Sequence, residues 1–196
     1  MMIRTGQIRP ALLGLALGAF AASAVAAPVT YNIDSAHTYP SFEADHSGGM
    51  SLWRGKFNTT TGTITLDKEA QSGSVDITID TASIDFGMDA MNDHAISADM
   101  FDVEQFPTAH YTGRLTGWEN GAPTAVTGEL TMLGVTLPLD LEIRQFMCRA
   151  GRGGGDTCGA DAYVEFDRSD FGLDFGGAFG MQMGVVLRIQ VEANSQ

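Results

Sequence analysis

Cysteine is nearly absent from this chain: Cys148 and Cys158 are the only two. Neither sits in a CxxC spacing or beside a histidine, so a redox pair or a thiolate zinc site is not signalled. Histidine is also scarce. The four present (His37, His46, His94 and His110) form no HxxxH or HExxH spacing. Basic side chains number 11 against 24 acids. A surface that acidic repels nucleic acid and anionic lipid headgroups, so neither is expected as a partner. No apolar run reaches the ~20 residues a membrane-spanning helix needs. The G-x-S-x-G elbow is missing, and the glycine-rich stretch at 151–155 lacks a GK[ST] ending. The aspartates form no D-x-[DN]-x-[DN]-G calcium loop and read as solvated acids and caps. Nothing brings together a nucleophile, a base and an orienting group, so the chain does not read as an enzyme.

The start of the chain is set apart from the rest. Residues 1–10 carry Arg4 and Arg9 and no acid, residues 11–22 are apolar or small, and Ala24-Val25-Ala26 supplies an A-x-A site. That order is the layout of a secretory signal peptide. Cleavage after Ala26 is expected, leaving residues 27–196 as one exported domain. Without Arg4 and Arg9, nine basic residues face 24 acids, a formal charge of −15. No cysteine lies near the cleavage site, which does not fit a lipid-anchored lipoprotein.

Beyond the leader the dominant signal is period-two alternation, the mark of half-buried strands. Phe42, Ala44 and His46 alternate with polar residues, as do Val75, Ile77 and Ile79. The same holds for Leu137, Leu139, Leu141 and Ile143, for Ala162, Val164 and Phe166, and for Val185, Leu187, Ile189 and Val191. Weaker runs cover residues 50–58, 61–67, 109–118 and 125–133, with turn-formers such as Asn120-Gly121 between many of them. Only residues 89–98 break the rhythm and predict a short helix. Many strands with one apolar face predict an all-β fold, an antiparallel barrel of about eight strands, because closure removes exposed edges. Runs too short for a membrane barrel place the apolar face inside.

Export puts Cys148 and Cys158 in an oxidising compartment, on either side of a flexible loop. A disulfide stapling the base of a hairpin is expected.

Several motifs occur in a recognisable order. Ile33-Asp34-Ser35-Ala36-His37 precedes Phe42-Glu43-Ala44-Asp45-His46, then Gly55-Lys56-Phe57 and Ser83-Ile84-Asp85. His94 stands ahead of Ser97-Ala98-Asp99-Met100-Phe101-Asp102-Val103, and Phe106-Pro107 follows. Gly128-Glu129-Leu130-Thr131 leads through Gly134 and Thr136 to Pro138, and Arg168-Ser169-Asp170-Phe171-Gly172 completes the order. Together they resemble the YceI-like, polyisoprenoid-binding family over nearly the whole exported chain. The resemblance implies a lipocalin-like barrel with a short helical lid, holding a long isoprenoid inside, in the bacterial periplasm. Met91-Asn92, Ala95, Met100 and Met183-Gly184 depart from the family pattern, which bears on head-group contacts more than on the fold.

On this reading the residues expected to line the interior are Phe42, His46, Trp53, Phe57, Met100, Phe101, Met132, Val164, Phe166 and Phe171. His46 extends an inward face and reads as structural or ligand-contacting. Arg168 and Asp170 read as a pair or a turn cap, with head-group binding as the sharper alternative. The methionines read as an adaptable cavity wall. The ligand is expected to be an isoprenoid, an isoprenoid quinone or another long apolar lipid. Two other readings stand beside it: a stress-response or metal-handling protein with a solid core, and a quinone-delivering accessory of a membrane electron-transfer protein. A homodimer stays open.

Overall fold

The computed structural model describes Met2 and residues 27–195. Apart from Met2, the expected leader at 1–26 lies outside the described residues. Alternation gives each strand one apolar face, which must be covered. Here the sheet covers it by closing on itself.

Among the described residues, twelve strands and one α-helix follow in chain order. The first six strands are β1 (Val29–Ile33), β2 (Tyr39–His46), β3 (Ser51–Phe57), β4 (Thr60–Asp67), β5 (Ser72–Asp80) and β6 (Ile84–Asp85). After helix α1 (Asp89–Ala95) come β7 (Thr108–Thr116), β8 (Ala125–Met132), β9 (Val135–Pro138), β10 (Leu141–Ala150), β11 (Asp156–Asp167) and β12 (Gly184–Ser195). Neighbours pair antiparallel, and β1 pairs with both β4 and β12, which shuts the ring.

Four staves of the barrel consist of two strands in line. β1 and β2 share one edge of β12, with Ile33 opposite Ala193 and Tyr39 opposite Gln190. β4 and β3 run beside that pair, and β5 and β6 run beside them. β9 and β10 follow β8 in a single register, from Val135 opposite Met132 to Glu142 opposite Ala125. With β7, β8, β11 and β12 unbroken, the barrel has eight staves.

The breaks are built around polar residues that hydrogen-bond backbone groups, near or across the sheet. Asp34 accepts from Ala36 N–H between β1 and β2, and Asp80 accepts from Ala82 N–H between β5 and β6. Ser83 receives the Asn58 and Thr59 N–H groups between β3 and β4. Thr38 Oγ1 donates to Glu192 O and accepts from Glu192 N–H, so one hydroxyl replaces a missing ladder step.

Three expectations need adjustment. The alternation over residues 137–144 predicts one strand, but the structure interrupts it at Leu139 and Asp140. There the Asp140 carboxylate receives the Gly128 N–H at 3.1 Å while Leu139 N–H reaches Gly128 O at 2.9 Å. The phase survives, and Leu139 and Leu141 are both buried. The helix expected over 89–98 stops at Ala95, because the Ser97 N–H turns back to His94 O, three residues away. Ala95 is buried while Ala98 is exposed. Arg168 does not pair with Asp170; it donates to the carbonyls of Leu173 and Phe175.

The disulfide between Cys148 and Cys158 is present. The two residues face each other in the β10–β11 ladder, with Cα atoms 4.0 Å apart, and the glycine-rich loop projects beyond them.

Candidate functional site

The barrel interior is hollow. A deep chamber of about 150 Å³ lies among Tyr31, Ile64, Leu66, Val75, Leu141 and Phe146. A second, of about 250 Å³, lies among the side chains of β2, β3, α1 and the loop that follows β11. Pro40, Ile79, Leu130 and Leu187 line both, so these four form a waist between the two chambers. The waist sits level with the strand breaks: Pro40 follows the first and Ile79 precedes the third. Together the chambers fall within the ~300–1,000 Å³ typical of small-molecule sites.

The deep chamber is almost wholly apolar. Among its polar side chains, Tyr111 and Thr38 are engaged and Thr60 is not. The Tyr111 hydroxyl donates to Leu139 O at 2.9 Å, and burial, helped by nearby Asp140, pushes its pKa up, so it stays neutral. Thr38 is tied to Glu192. Thr60 is buried, and its hydroxyl has no hydrogen-bond partner.

The second chamber is walled by aromatic rings. Phe42 lies 5.9 Å from Phe57 and 5.1 Å from Phe86 between ring centroids, and Phe57 meets Phe101 edge-on at 5.6 Å. Gly55 makes room for this: a Cβ there would fall 2.5 Å from Phe42 Cζ. His46 stacks on Trp53 at 4.4 Å and 19°, and the His94 ring meets Phe175 at 4.6 Å. Lining residues His46, Met91, His94, Phe175 and Met181 keep part of their surface in solvent, so the chamber opens here. It is the mouth of the cavity.

Two charged groups border the mouth. Asp45 accepts from Gly49 N–H at 2.6 Å and Gln182 N–H at 2.9 Å, and these bonds, that from Gln182 foremost, hold its carboxyl below the usual range. Arg168 is buried, donating to Leu173 O at 2.6 Å and Phe175 O at 2.7 Å. Burial lowers its pKa, opposed by Asp167, Asp174 and Asp45. It ties down the loop that roofs the mouth.

Of the ten side chains expected to line the interior, the structure gathers eight around the mouth chamber: Phe42, His46, Trp53, Phe57, Met100, Phe101, Met132 and Phe166. Phe171 is buried behind the wall, edge-on to Phe166 at 5.6 Å. Val164 packs against the core without lining either chamber. Sequence reasoning missed Phe86 and Phe175, which sit in loops without a period, and named Met181 only among the methionines of an adaptable wall. It also missed the deep chamber, although the alternation of β5, β9–β10 and β12 already named its walls.

The motif order has a counterpart in known proteins: a model of the YceI-like domain matches residues 31–194. The chain belongs to the YceI-like family. Among curated YceI-like relatives, Protein YceI of Salmonella arizonae is 32% identical over 191 residues, 94% of this chain and 97% of the relative. Protein YceI of Escherichia coli O6:H1 is 31% identical over 170 residues, 85% of this chain and 88% of the relative. Solved structures share the fold. Burkholderia cenocepacia BcnA superposes with a TM-score of 0.65 at 23% identity, covering 83% of this chain and 99% of BcnA. A polyisoprenoid-binding domain from Saccharophagus degradans superposes with a TM-score of 0.63 at 14% identity, covering 86% and 99%. The YceI-like barrel is thus common to chains whose sequences have diverged widely.

Proposed function

We propose that this YceI-like protein is an exported, periplasmic carrier that holds a long, chain-like apolar lipid of the isoprenoid type in its two-chamber tunnel. The observation that carries this reading is the pair of apolar chambers inside the barrel, which share the waist residues Pro40, Ile79, Leu130 and Leu187. Filling it removes isoprenyl surface from water, worth about 0.8 kcal/mol per buried CH₂ before ordering costs. At ~0.3 kcal/mol net per heavy atom, a forty-carbon chain would bind at roughly −12 kcal/mol, a nanomolar affinity. Chain length then discriminates among ligands more than the head group does.

A binding role rather than catalysis fits the polar groups at the mouth. Asp45 is held by backbone N–H groups, Arg168 by backbone carbonyls, and His46 lies flat on Trp53. Each already has a structural task. The hollow interior favours a carrier over a solid-core stress protein. Membership of the YceI-like family and the fold shared with a polyisoprenoid-binding domain support the same reading.

Native mass spectrometry of protein purified from its own host tests it. The expected result is a co-purifying lipid of long chain, whose mass separates isoprenoid quinone, polyprenyl phosphate and fatty amide. Protein that carries no lipid, and takes up none of these three in solution, would sink the proposal.

A further inference from the structure

The mouth of the tunnel differs from the rest of the surface. In a chain this acidic, residues 47–53 and 175–187 contain no charged side chain at all. Both segments border the mouth chamber, through Trp53 on one side and through Phe175 and Met181 on the other. They also touch each other. A Cβ on Gly48 would lie 3.1 Å from Gly180 O, and Gln182 N–H donates to Asp45 Oδ2 at 2.9 Å. Helix α1 adjoins these loops, since His94 packs on Phe175, and its Asp89 and Asp93 are exposed.

From these two uncharged loops, large apolar side chains project into solvent. Phe179 is 79% exposed and Met50 81% exposed, with Leu52 of the same segment as Met50 about half exposed. Phe179 sits on a short turn between Gly176 and Gly180, both in left-handed backbone (φ +92° and +85°). Single exposed apolar residues are ordinary, but a contiguous uncharged cluster marks an interaction site.

We propose that this rim docks on the interface of a neutral bilayer, with Phe179 and Met50 dipping among the acyl chains and the mouth facing the membrane. The inference rests on the reading that the tunnel holds lipid. A forty-carbon chain that crosses water exposes its whole length, whereas a mouth pressed on the bilayer lets it slide in without doing so. The charge pattern selects the surface. The two uncharged loops lose no hydrated charge on entering a zwitterionic interface, while the acidic body is repelled by an anionic one. Aromatic and methionine side chains at loop tips suit that shallow depth.

The test compares the exported chain with Met50→Ser/Phe179→Ser; neither residue lines a chamber. Flotation with phosphatidylcholine vesicles is expected to carry the unaltered protein and to fall at least tenfold for the double variant. Adding anionic phosphatidylglycerol should weaken flotation of the unaltered protein. Uptake of a prenyl quinone delivered from cyclodextrin, and the melting temperature, should be the same for both proteins. Transfer of that quinone from vesicles should rise in proportion to vesicle concentration and slow at least tenfold in the double variant. Equal flotation of the two proteins, or none for either, overturns the docking proposal. So does a double variant that alters self-association in vesicle-free solution while floating normally, because the rim would then be a protein interface. Failure of cyclodextrin uptake with flotation intact would instead remove the lipid-carrier reading and leave the docking surface standing.

Discussion

At the scale of single residues, Thr60 is the anomaly of the interior. Its hydroxyl is buried in an apolar wall and has no hydrogen-bond partner, a situation that costs about 1–3 kcal/mol. Thr60→Val keeps the shape and removes the unpaired group, so the lipid-free protein should gain about 1 kcal/mol, read as a higher urea midpoint at unchanged slope. A lower midpoint would mean that the hydroxyl holds a buried water. Ala44 poses the opposite question. It lines the mouth chamber beside Phe42. Ala44→Trp in a packed core would overpack by about 1–3 kcal/mol, but in an open chamber the indole has room. The expected outcome is a lipid-free protein of nearly unchanged stability whose prenyl-quinone uptake falls at least tenfold. Ser41→Trp, with the opposite parity on β2, should change neither. An unfolded Ala44→Trp would show that the chamber is closed there, and normal uptake would show that this strand does not face the ligand.

At the scale of elements, two joints hold the barrel, one at its end and one at a break within a stave. The Cys148–Cys158 bridge staples β10 to β11 at the base of the glycine-rich loop. Closing so short a loop contributes roughly 2.5–3 kcal/mol in the chain-entropy account. Cys148→Ser/Cys158→Ser should therefore melt about 5–12 °C lower, using ~2–4 °C per kcal/mol for a domain of this size. A drop under about 2 °C would assign the register to the ladder alone. The second joint is the turn between β1 and β2, where His37 Nδ1 and Asp34 Oδ2 are 2.9 Å apart. The Asp34 hydrogen bond and charge raise the His37 pKa, and the same bond lowers that of Asp34. The raised histidine contributes stability that is complete below its unfolded value, ~6.5, and lost as pH climbs through the folded value. The lowered aspartate contributes stability present above ~3.9 and lost as pH falls through its folded value. The pair is thus fully effective between about pH 4 and 6.5. Because His37 is exposed, the effect is small. His37→Asn should flatten the decline in melting temperature between about pH 6 and 8; an unchanged slope would assign that decline to other groups.

For the whole molecule, a hollow core means that part of the stability available to the fold is supplied by what fills it. A ligand that binds only the native state at a hundred times its Kd adds about 2.7 kcal/mol. Prenyl quinone at that excess should raise the melting temperature of lipid-free protein by about 5–10 °C. Long-chain members should act more strongly than short ones at equal concentration, since each added methylene brings buried area. A shift independent of chain length would indicate a head-group site instead of a tunnel.

Local chemistry determined much of this protein before any contact was formed. Strand alternation set which side chains could face inward, so Phe42, Phe57, Met132 and Phe166 were readable as wall residues, and the facing cysteines as a bridge. What alternation cannot report is the distance across the barrel. Whether inward side chains meet at the centre or leave a void depends on how eight staves tilt and where four of them break, which is a property of closure. The same limit explains Val164 and Phe171, which have the right character but sit against or behind the wall. It also explains Phe86, Phe175 and Met181, which reach the mouth only because loops with no periodic signal are folded over it by the Arg168 hydrogen bonds and the packing of α1. Period and composition act between neighbours along the chain, and they decided the strands and their inward face. Only the closed ring brings residues from Phe42 to Val185 around one space, and that is why the tunnel and its mouth belong to the tertiary structure.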